Sequence, residues 1–393
     1  MSDGRSSRFP VGAAVTLDDL EADPHPTLAA LRATEPVSWI PVLDGWLVTS
    51  RELAVEVMRG AETFTVDDPR FSTAQVIGPS MLSLDGVDHR RHRQPFVDPF
   101  RSVEVQRRFA EWTAAKAHEL LDGLAARGEA DLRSDFAAPL AVSVVKRALG
   151  LPNIGAEEVL GWYDAIVAAI DEVTAGNPVP TTGTAAFSDL ETAVASNFAS
   201  APDSLLASVH GEGSLSLHEV VSNAAVVLFG GIVTSEGTTA AAFSHLLGAI
   251  DQVALVRADR SLLGNAVEET LRLEPAAAVV DRYTTREVAL GGVAIGRSEL
   301  VRVSLAGANR DPSVFSDPDR FDVHRENANQ HVAFARGPHV CLGIHLARLE
   351  TRIALEVALA RLPGLGLDAG RSAPACGLIF RAPEAVWATW QPQ

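Results

Sequence analysis

The stretch HVAFARGPHVCLGIHLARLETR, residues 331–352, decides how this chain folds. Gly337 and Pro338 interrupt regular structure, so we expect a tight loop before Cys341. After the cysteine, apolar residues recur at helical spacing over residues 344–357, which predicts a helix. Cys341 therefore lies where a loop enters a helix. Free backbone N–H groups and the positive helix end favour an anion there, and so a thiolate.

A lone cysteine in this setting leaves few kinds of site open. With no second cysteine nearby, the pattern indicates neither a zinc site nor a C-x-x-C redox pair. A buried structural thiol, a nucleophile and an axial ligand of haem iron remain. Gly343 allows a bulky group to approach the backbone, and Phe334 offers an aromatic shield. Basic side chains add positive charge nearby: Arg336, His339, Arg348 and Arg352.

The pattern F-x-x-G-x-H-x-C-x-G at residues 334–343 resembles the haem-thiolate loop of the cytochrome P450 monooxygenases. One departure is Ala335, where the family usually has glycine, and its methyl group is expected to tighten the loop without preventing ligation. The resemblance implies a mainly α fold with small β-sheets. In that fold an α-helical prism encloses haem b, iron protoporphyrin IX, between a long central helix and the helix after the cysteine. The implied iron ligand is Cys341, and the implied cofactor contacts in the loop are Phe334, Gly337 and Gly343.

The composition suits one large folded domain. The chain has 393 residues, of which 47% are hydrophobic, and a net charge of −17. No linker-like segment divides it, so we expect a single domain over residues 1–393. Two cysteines argue for a reducing compartment. The N-terminus lacks a signal peptide's apolar core, and the longest apolar run is about ten residues, well short of the ~20 that span a bilayer. We expect a cytoplasmic monomer that binds neither membrane nor nucleic acid.

Local patterns predict mostly helices with small sheets near both chain ends. Asp44-Gly45 predicts a hairpin within residues 37–50, and Ser50 is expected to cap a helix over residues 51–59. Residues 67–83 read as irregular. The remaining predicted helices cover residues 103–127, 136–149, 156–173, 185–199, 217–250 and 261–273, with short strands at 288–290 and 301–304 and a second hairpin formed by residues 377–381 and 385–390.

The long central helix carries three glycines in the run LFGGIVTSEGTT, residues 228–239. Each costs about 1 kcal/mol relative to alanine inside a helix. Either a ligand approaches the helix backbone here or a neighbouring helix packs closely against it. Thr234 can turn its hydroxyl back onto a carbonyl of the preceding turn and widen the helix.

The resemblance implies that the Gly230–Gly231 gap holds dioxygen and that Thr234 favours its protonation. Here the chain departs from the family, which usually has an acidic residue where this sequence has Val233. An aliphatic side chain cannot relay a proton. We hypothesise that Glu236, about one turn away, or ordered water delivers protons. The alternative is that Glu236 is only a solvated or pocket-facing charge.

Glu269 and Arg272 stand at i and i+3 on one predicted helix face. Such pairs are common on protein surfaces and usually carry no special meaning. Their place in the chain resembles the family's E-x-x-R pair, which a later arginine completes, and Arg320 is the predicted third member. A bidentate cluster of this kind would fix the segment that leads to Cys341. Its role would be structural.

His89 and Arg93 share a predicted helix face at i and i+4, although Pro95 leaves the aim of Arg93 open. They could form a basic surface patch. The resemblance implies instead that they bind the haem propionates together with Arg282 and His339. Two carboxylates in a dry pocket need such partners.

Several apolar segments could line a substrate pocket above the haem, although core packing is the commoner role of any single one. The candidates are Val76, Ile77, Val226, Val227, Ala278, Val279, Leu378 and Ile379. Cys376 is expected to be a pocket or core thiol.

Basic residues predicted on the cysteine side suggest an acidic electron donor, a ferredoxin supplied by its reductase, because no flavin or nicotinamide segment is present. This predicted donor patch comprises Arg90, Arg91, His92, Arg348 and Arg352.

The resemblance implies a haem-thiolate monooxygenase that uses dioxygen and two external electrons to oxidise a small apolar substrate, such as a natural-product intermediate of secondary metabolism. Three alternatives remain open. The enzyme could couple or dehydrogenate substrates by radicals without inserting oxygen, which Val233 makes worth testing. It could use peroxide directly, although Thr234 argues against this. It could also be a non-catalytic haem sensor, which the retained Gly-Gly-Thr segment disfavours.

Overall fold

The computed structural model describes residues 2–174, 176–201 and 204–392, and within these the fold is mainly helical. The first helices are α1 Ser2–Arg8, α2 Pro10–Ala13, α3 Leu17–Glu21, α4 His25–Thr34, α5 Arg51–Arg59, α6 Ser72–Ile77, α7 Gly86–Val97, α8 Ser102–Asp122 and α9 Ala138–Leu149. They are followed by α10 Ala156–Thr174, α11 Thr181–Ser200, α12 Leu205–Gly211, α13 Leu217–Gly248, α14 Ile250–Ala258, α15 Leu263–Leu273, α16 Leu305–Ala308 and α17 Ile344–Arg361.

Short strands form small sheets at the edges of the helical body. They are β1 Val37–Ile40, β2 Gly45–Val48, β3 Phe64–Thr65, β4 Glu129–Asp131, β5 Val279–Thr284, β6 Val288–Leu290, β7 Val293–Ile295, β8 Leu300–Ser304, β9 Gly366–Leu367, β10 Ala375–Cys376, β11 Ala382–Pro383 and β12 Trp387–Thr389. The largest sheet has the order β1-β2-β8-β5-β3. In it β2 and β8 run parallel, whereas the other neighbours are antiparallel.

The α13 helix is the centre of the main hydrophobic core. It begins with a capping box, in which Ser216 and Glu219 satisfy each other's backbone N–H groups. Its flanks contact α9, α11, α15 and α17. By length and apolar composition alone α13 could also cross a membrane. Its contacts with helices on several sides explain the same composition as that of a core helix.

The structure confirms the predicted loop-to-helix boundary at the cysteine, the first hairpin and most long helices. Asp44 adopts the left-handed conformation (φ 43°) that the hairpin turn requires. Ser50 does not cap α5, however, because the Arg51 N–H donates to Asp311 Oδ2 at 2.9 Å instead. A side chain distant in sequence has replaced the local cap.

Other local predictions were wrong where long-range pairing decides the conformation. Residues 67–83, predicted to be irregular, contain α6, and the prediction missed β5, α12 and α14. The predicted C-terminal hairpin does not form. Instead β12 pairs with β4 and β9, and β10 pairs with β11. These strands have two or three residues each, too few for a clear alternation of polar and apolar side chains.

Candidate active site

The loop before α17 presents Cys341 at the position that the sequence predicted. A 3₁₀ turn at Gly337–His339 precedes the cysteine, whose N–H donates to the Phe334 carbonyl at 2.9 Å. Gly337 has a φ of 77°, and a Cβ there would lie 2.4 Å from the Met58 carbonyl oxygen. Both its conformation and its close approach to α5 therefore require glycine.

Ala335 also has left-handed backbone geometry, with a φ of 58°. This is the position at which the resemblance leads one to expect glycine. An alanine in this region is strained by about 1–2 kcal/mol. The tight loop is nevertheless formed, and the methyl group is buried in the cluster beside α5.

The Cys341 side chain is accessible to solvent, yet its surroundings are dense enough that burial raises the pKa of the thiol. These two observations agree if the sulfur faces an internal cavity. A hydrogen bond from the Gly343 backbone and the charges of Arg93 and Arg348 act in the opposite direction but do not outweigh burial. The helix end alone therefore does not give the predicted thiolate. A coordinated metal ion would, because it deprotonates its thiol ligand outright.

Glu269 and Arg272 form the predicted pair, fully buried, with Nε–Oε2 and Nη2–Oε1 distances of 2.7 and 2.8 Å. The predicted third member, Arg320, was wrong. Its side chain is exposed, and it contributes only its backbone carbonyl to the cluster. Arg325 completes the cluster instead, with its Nε 2.8 Å from Glu269 Oε1. The chain turns between the two arginines and brings the second one inside.

A second acid, the half-buried Glu268, connects both ends of the cysteine loop and was not among the predicted site residues. Its carboxylate accepts hydrogen bonds from His331 Nε2 at 3.2 Å and from Arg348 Nη2 at 2.7 Å. Burial raises its pKa, but the hydrogen bonds from His331 and Arg348 outweigh burial and lower it to about 2. The Arg348 guanidinium also lies 4.8 Å from the centre of the Phe334 ring. The only signal in the sequence was the doubled acid Glu268-Glu269.

Two predicted propionate ligands retain buried donor atoms without partners. His89 Nε2 and Arg282 Nε make no hydrogen bond within the part of the chain that the structure describes. Burial, followed by the charges of His339 and Arg93, lowers the pKa of His89 to about 4. Burial likewise lowers the pKa of Arg282. Unsatisfied buried donors are costly, so a bound carboxylate would stabilise both. This donor set fits a haem with two propionates.

The other two predicted propionate ligands have partners within the protein. His339 Nε2 lies 2.8 Å from Asp85 Oδ1, and its ring centre is 4.4 Å from that of His89. Arg93 donates to the Val340 carbonyl at 2.6 Å, although Pro95 lies in the same helix. The four predicted side chains thus come from α7, β5 and the cysteine loop, and these contacts join α7 to the loop.

Two glycines of α13 have different surroundings, and each supports one of the two explanations that the sequence left open: close helix packing and the approach of a ligand. A Cβ on Gly231 would lie 2.8 Å from Val145 Cγ2, so this glycine permits close packing against α9. A Cβ on Gly230 would meet no atom within 4 Å, which leaves its face of the helix open to a ligand. Thr234 Oγ1 donates to the Gly230 carbonyl at 2.5 Å, the backbone contact that the sequence predicted.

Glu236, the hypothesised proton relay, is held by an ion pair. Its Oε1 lies 2.7 Å from Arg133 Nε, and Arg133 also donates to the Pro383 carbonyl. This contact ties the carboxylate to the C-terminal segment. The ion pair therefore gives Glu236 a structural contact rather than a free carboxylate.

A different carboxyl, Glu350 on α17, lies against the helix that carries Thr234. It is 1% exposed, and its Oε1 has no hydrogen-bond partner among the described residues. Burial raises its pKa to about 8, and a hydrogen bond with Ser235 lowers it only in part. Ser235 follows Thr234 directly. No local pattern in the sequence marks Glu350, because its burial depends on how α17 packs against α13.

The predicted pocket residues do not share one environment. Val76, Ile77, Ala278 and Val279 belong to hydrophobic core clusters, with at most 9% of each exposed. Half-buried positions, at which a side chain can face a cavity, are Val226, Val227 and Leu378, whereas Ile379 is 39% exposed.

The predicted donor patch is largely neutralised. His92 is 1% exposed and contacts Asn223, so it is not a surface residue. Arg91 pairs with Glu219, and Arg352 pairs with Glu356, as Arg348 does with Glu268. Arg90 is exposed and has no ion pair among the described residues.

Comparison with known proteins gives consistent matches along the chain. The family model described as Cytochrome P450 matches residues 255–362. Cytochrome P450 107B1 of Saccharopolyspora erythraea is 35% identical, over 90% of this chain and 91% of its own length. The 6-deoxyerythronolide B hydroxylase of the same organism is 32% identical, over 90% of this chain and 94% of its own length. A crystal structure of P450BioI with an acyl carrier protein ligated to hexadec-9Z-enoic acid superposes with a TM-score of 0.86 at 28% identity, covering 94% of this chain and 99% of that one.

Proposed function

This chain belongs to the cytochrome P450 family and is an oxidoreductase of its monooxygenase class; from that premise we propose that Cys341 ligates the iron of haem b. One observation carries this proposal. An accessible thiol at a loop-to-helix boundary lies in one site with two buried, unpartnered donors, His89 Nε2 and Arg282 Nε. When bound, the haem supplies the redox chemistry and the protein supplies positioning and electrostatics.

The anchors around the loop have a positioning role. The buried cluster of Glu269, Arg272 and Arg325 fixes the approach to the loop, and Glu268 holds both of its ends. Arg282 and His89 would each donate a hydrogen bond to a carboxylate of the cofactor. The apolar residues packed behind the loop exclude water, which strengthens these charge-assisted contacts.

Proton delivery is the step at which this chain differs from what the resemblance implies. The open face at Gly230 leaves space for dioxygen beside the Thr234 hydroxyl. Val233 cannot relay a proton, and Arg133 holds Glu236. We propose that Glu350 stores a proton at its carboxyl and passes it through the Ser235 hydroxyl towards this space. A carboxyl that is still protonated near neutral pH suits that task.

The substrate is proposed to be a small apolar molecule, such as a natural-product intermediate of secondary metabolism. The half-buried apolar residues of α13, Val226 and Val227, precede the open face at Gly230 and support this assignment. The named activity of the relative, hydroxylation of 6-deoxyerythronolide B, is of the same class. We propose a cytoplasmic, monomeric, single-domain enzyme that receives electrons from a ferredoxin and its reductase.

One alternative keeps specific support. A haem-thiolate enzyme that couples or dehydrogenates its substrate by radicals inserts no oxygen and releases both atoms of dioxygen as water, and the departure at Val233 makes this chemistry worth testing. Turnover under isotopically labelled dioxygen separates the two functions. Label in the product supports monooxygenation, whereas a coupled or dehydrogenated product without label supports the alternative.

The iron ligand is tested with the chain's two cysteines as a matched pair. Cys341→Ser should abolish the thiolate-specific spectrum of the reduced carbon monoxide complex. Cys376→Ser should leave it unchanged, because Cys376 is half-buried and its thiol contacts Glu384. An unchanged spectrum in Cys341→Ser would overturn the assignment.

A further inference from the structure

The structure has a basic cleft that the proposed reaction does not use. It lies between α8, α9 and the two residues Ala201 and Ser204, and has a volume of about 720 Å³. Its lining is Arg107, Arg108, Phe109, Trp112, Lys116, Ser143, Lys146, Arg147, Gly150, Pro152, Ala201 and Ser204. Among the residues that the structure describes, this lining has five cations and no acid, although acidic residues outnumber basic ones by 50 to 33 in the whole chain.

The distribution of lysine makes this cleft unusual within its own chain. Arginine supplies nearly all the positive charge of the protein, and Lys116 and Lys146 are its only lysines. Both line the cleft. They stand on two different helices, α8 and α9, so only the tertiary structure brings them together.

Two of the five cations are satisfied by neighbours on their own helix. Arg107 Nη2 lies 2.6 Å from Glu104 Oε2, and Lys116 Nζ lies 2.7 Å from Glu119 Oε1. These i,i+3 pairs neutralise one edge of the cleft. The remaining charge belongs to Arg108, Lys146 and Arg147.

Arg108, Lys146 and Arg147 form no ion pair among the described residues, which leaves a charge of about +3, although the charge of Glu104 also acts on Arg108. Within the described part of the chain, Arg147 donates only to the Arg108 carbonyl, at 3.3 Å from Nη2, and its guanidinium lies 4.9 Å from the centre of the Trp112 ring. Arg108 and Lys146 side chains make no hydrogen bond within the described chain, although both are half-buried. Burial, followed by the like charge of Arg107, lowers the pKa of Arg108, and the charge of Glu104 opposes this only in part.

We propose that this cleft binds a small organic phosphate with at least two negative charges, such as a nucleoside diphosphate. Three unneutralised cations match a polyanion, whereas a single carboxylate would leave two of them uncompensated. Guanidinium forks and a lysine ammonium are the usual protein ligands of phosphate. The aromatic residues Phe109 and Trp112 give an apolar contact for the organic part. The volume lies in the range of small-molecule sites.

The test uses the full-length, haem-loaded protein with pyrophosphate and ADP as probes in isothermal titration calorimetry at low salt. We expect one saturable site for each probe. ADP should bind more tightly than pyrophosphate, because its organic part contacts the aromatic residues Phe109 and Trp112. Added salt should weaken both interactions. Absence of saturable binding by either probe at millimolar concentration would overturn the proposal.

The matched variants separate a site from general attraction to a cation. Arg108→Gln and Lys146→Gln should each weaken ADP binding about tenfold or more, since each removes a charge-assisted contact. Arg297→Gln removes the same charge at an exposed position outside the cleft and should change binding less than about twofold. Equal effects of all three variants would overturn the site.

Two further controls keep the result interpretable. Thermal unfolding and the carbon monoxide spectrum of each variant show that the fold and the haem site are intact. An acidic peptide, polyglutamate, serves as the competing ligand. If it binds while pyrophosphate and ADP do not, the surface docks an acidic protein and the small-molecule proposal is overturned.

Discussion

Replacing Glu350 by glutamine should make the protein more stable than the parent, and this difference in the free energy of unfolding should grow as the pH rises. Glu350 has an ordinary pKa of 4.5 in the unfolded chain and a pKa of about 8 in the folded one. Below pH 4.5 both states hold the proton. Between these two values only the unfolded chain releases it, so folding loses about 1.4 kcal/mol per pH unit. Glutamine does not titrate, and the variant should therefore gain about 4 kcal/mol over the parent between about pH 5 and pH 8.

Urea unfolding of the parent and Glu350→Gln across this pH range measures the effect. Glu356→Gln, on the same helix, is the control, since Glu356 is exposed and pairs with Arg352. Its stability difference from the parent should stay within about 0.5 kcal/mol at every pH. A difference for Glu350→Gln that does not change with pH would refute the reasoning, because the carboxyl would then already be ionised in the folded protein.

The same variant tests the proposed proton route. Glu350→Gln should keep its haem but form less product per electron consumed, whereas Glu236→Gln should leave this ratio unchanged. We expect no change because Arg133 holds the Glu236 carboxylate in an ion pair directed to the C-terminal segment. The reverse result would restore Glu236 as the relay.

Three further predictions follow from buried contacts and are checked by urea unfolding and haem retention. Arg325→Gln should cost about 3–5 kcal/mol because it leaves a buried carboxylate unpaired, whereas Arg320→Gln should change stability by about 0.5 kcal/mol or less; equal costs would contradict the cluster. Gly231→Ala should lower the free energy of unfolding by about 1–3 kcal/mol, because its methyl group clashes with α9. Gly230→Ala should be at least as stable as the parent, with a gain of up to about 1 kcal/mol from helix propensity, but should form less product per electron consumed. Gly337→Ala should cost about 3 kcal/mol or more and impair haem retention, since its methyl group would overlap a backbone carbonyl; normal haem retention would refute that requirement.

Local sequence patterns were sufficient for the cysteine loop because their signals act over a few residues. Gly337 fixes a left-handed turn, and the apolar spacing that follows the cysteine defines α17. The same holds for the Thr234 hydroxyl, whose acceptor is a carbonyl four residues earlier. The pair of Glu269 and Arg272 is one helical turn apart and was also predictable.

The sequence alone therefore determined the loop, the long helices and the family, since each depends on neighbours within a few turns of chain. The tertiary structure alone decided that Arg325 rather than Arg320 enters the buried cluster with Glu269. It also decided that Arg133 forms an ion pair with Glu236, and that Glu350 is buried beside Ser235. These outcomes depend on which side chains lose their contact with water when distant helices pack. Desolvation and ion pairing act through space, so no spacing rule along the chain encodes them.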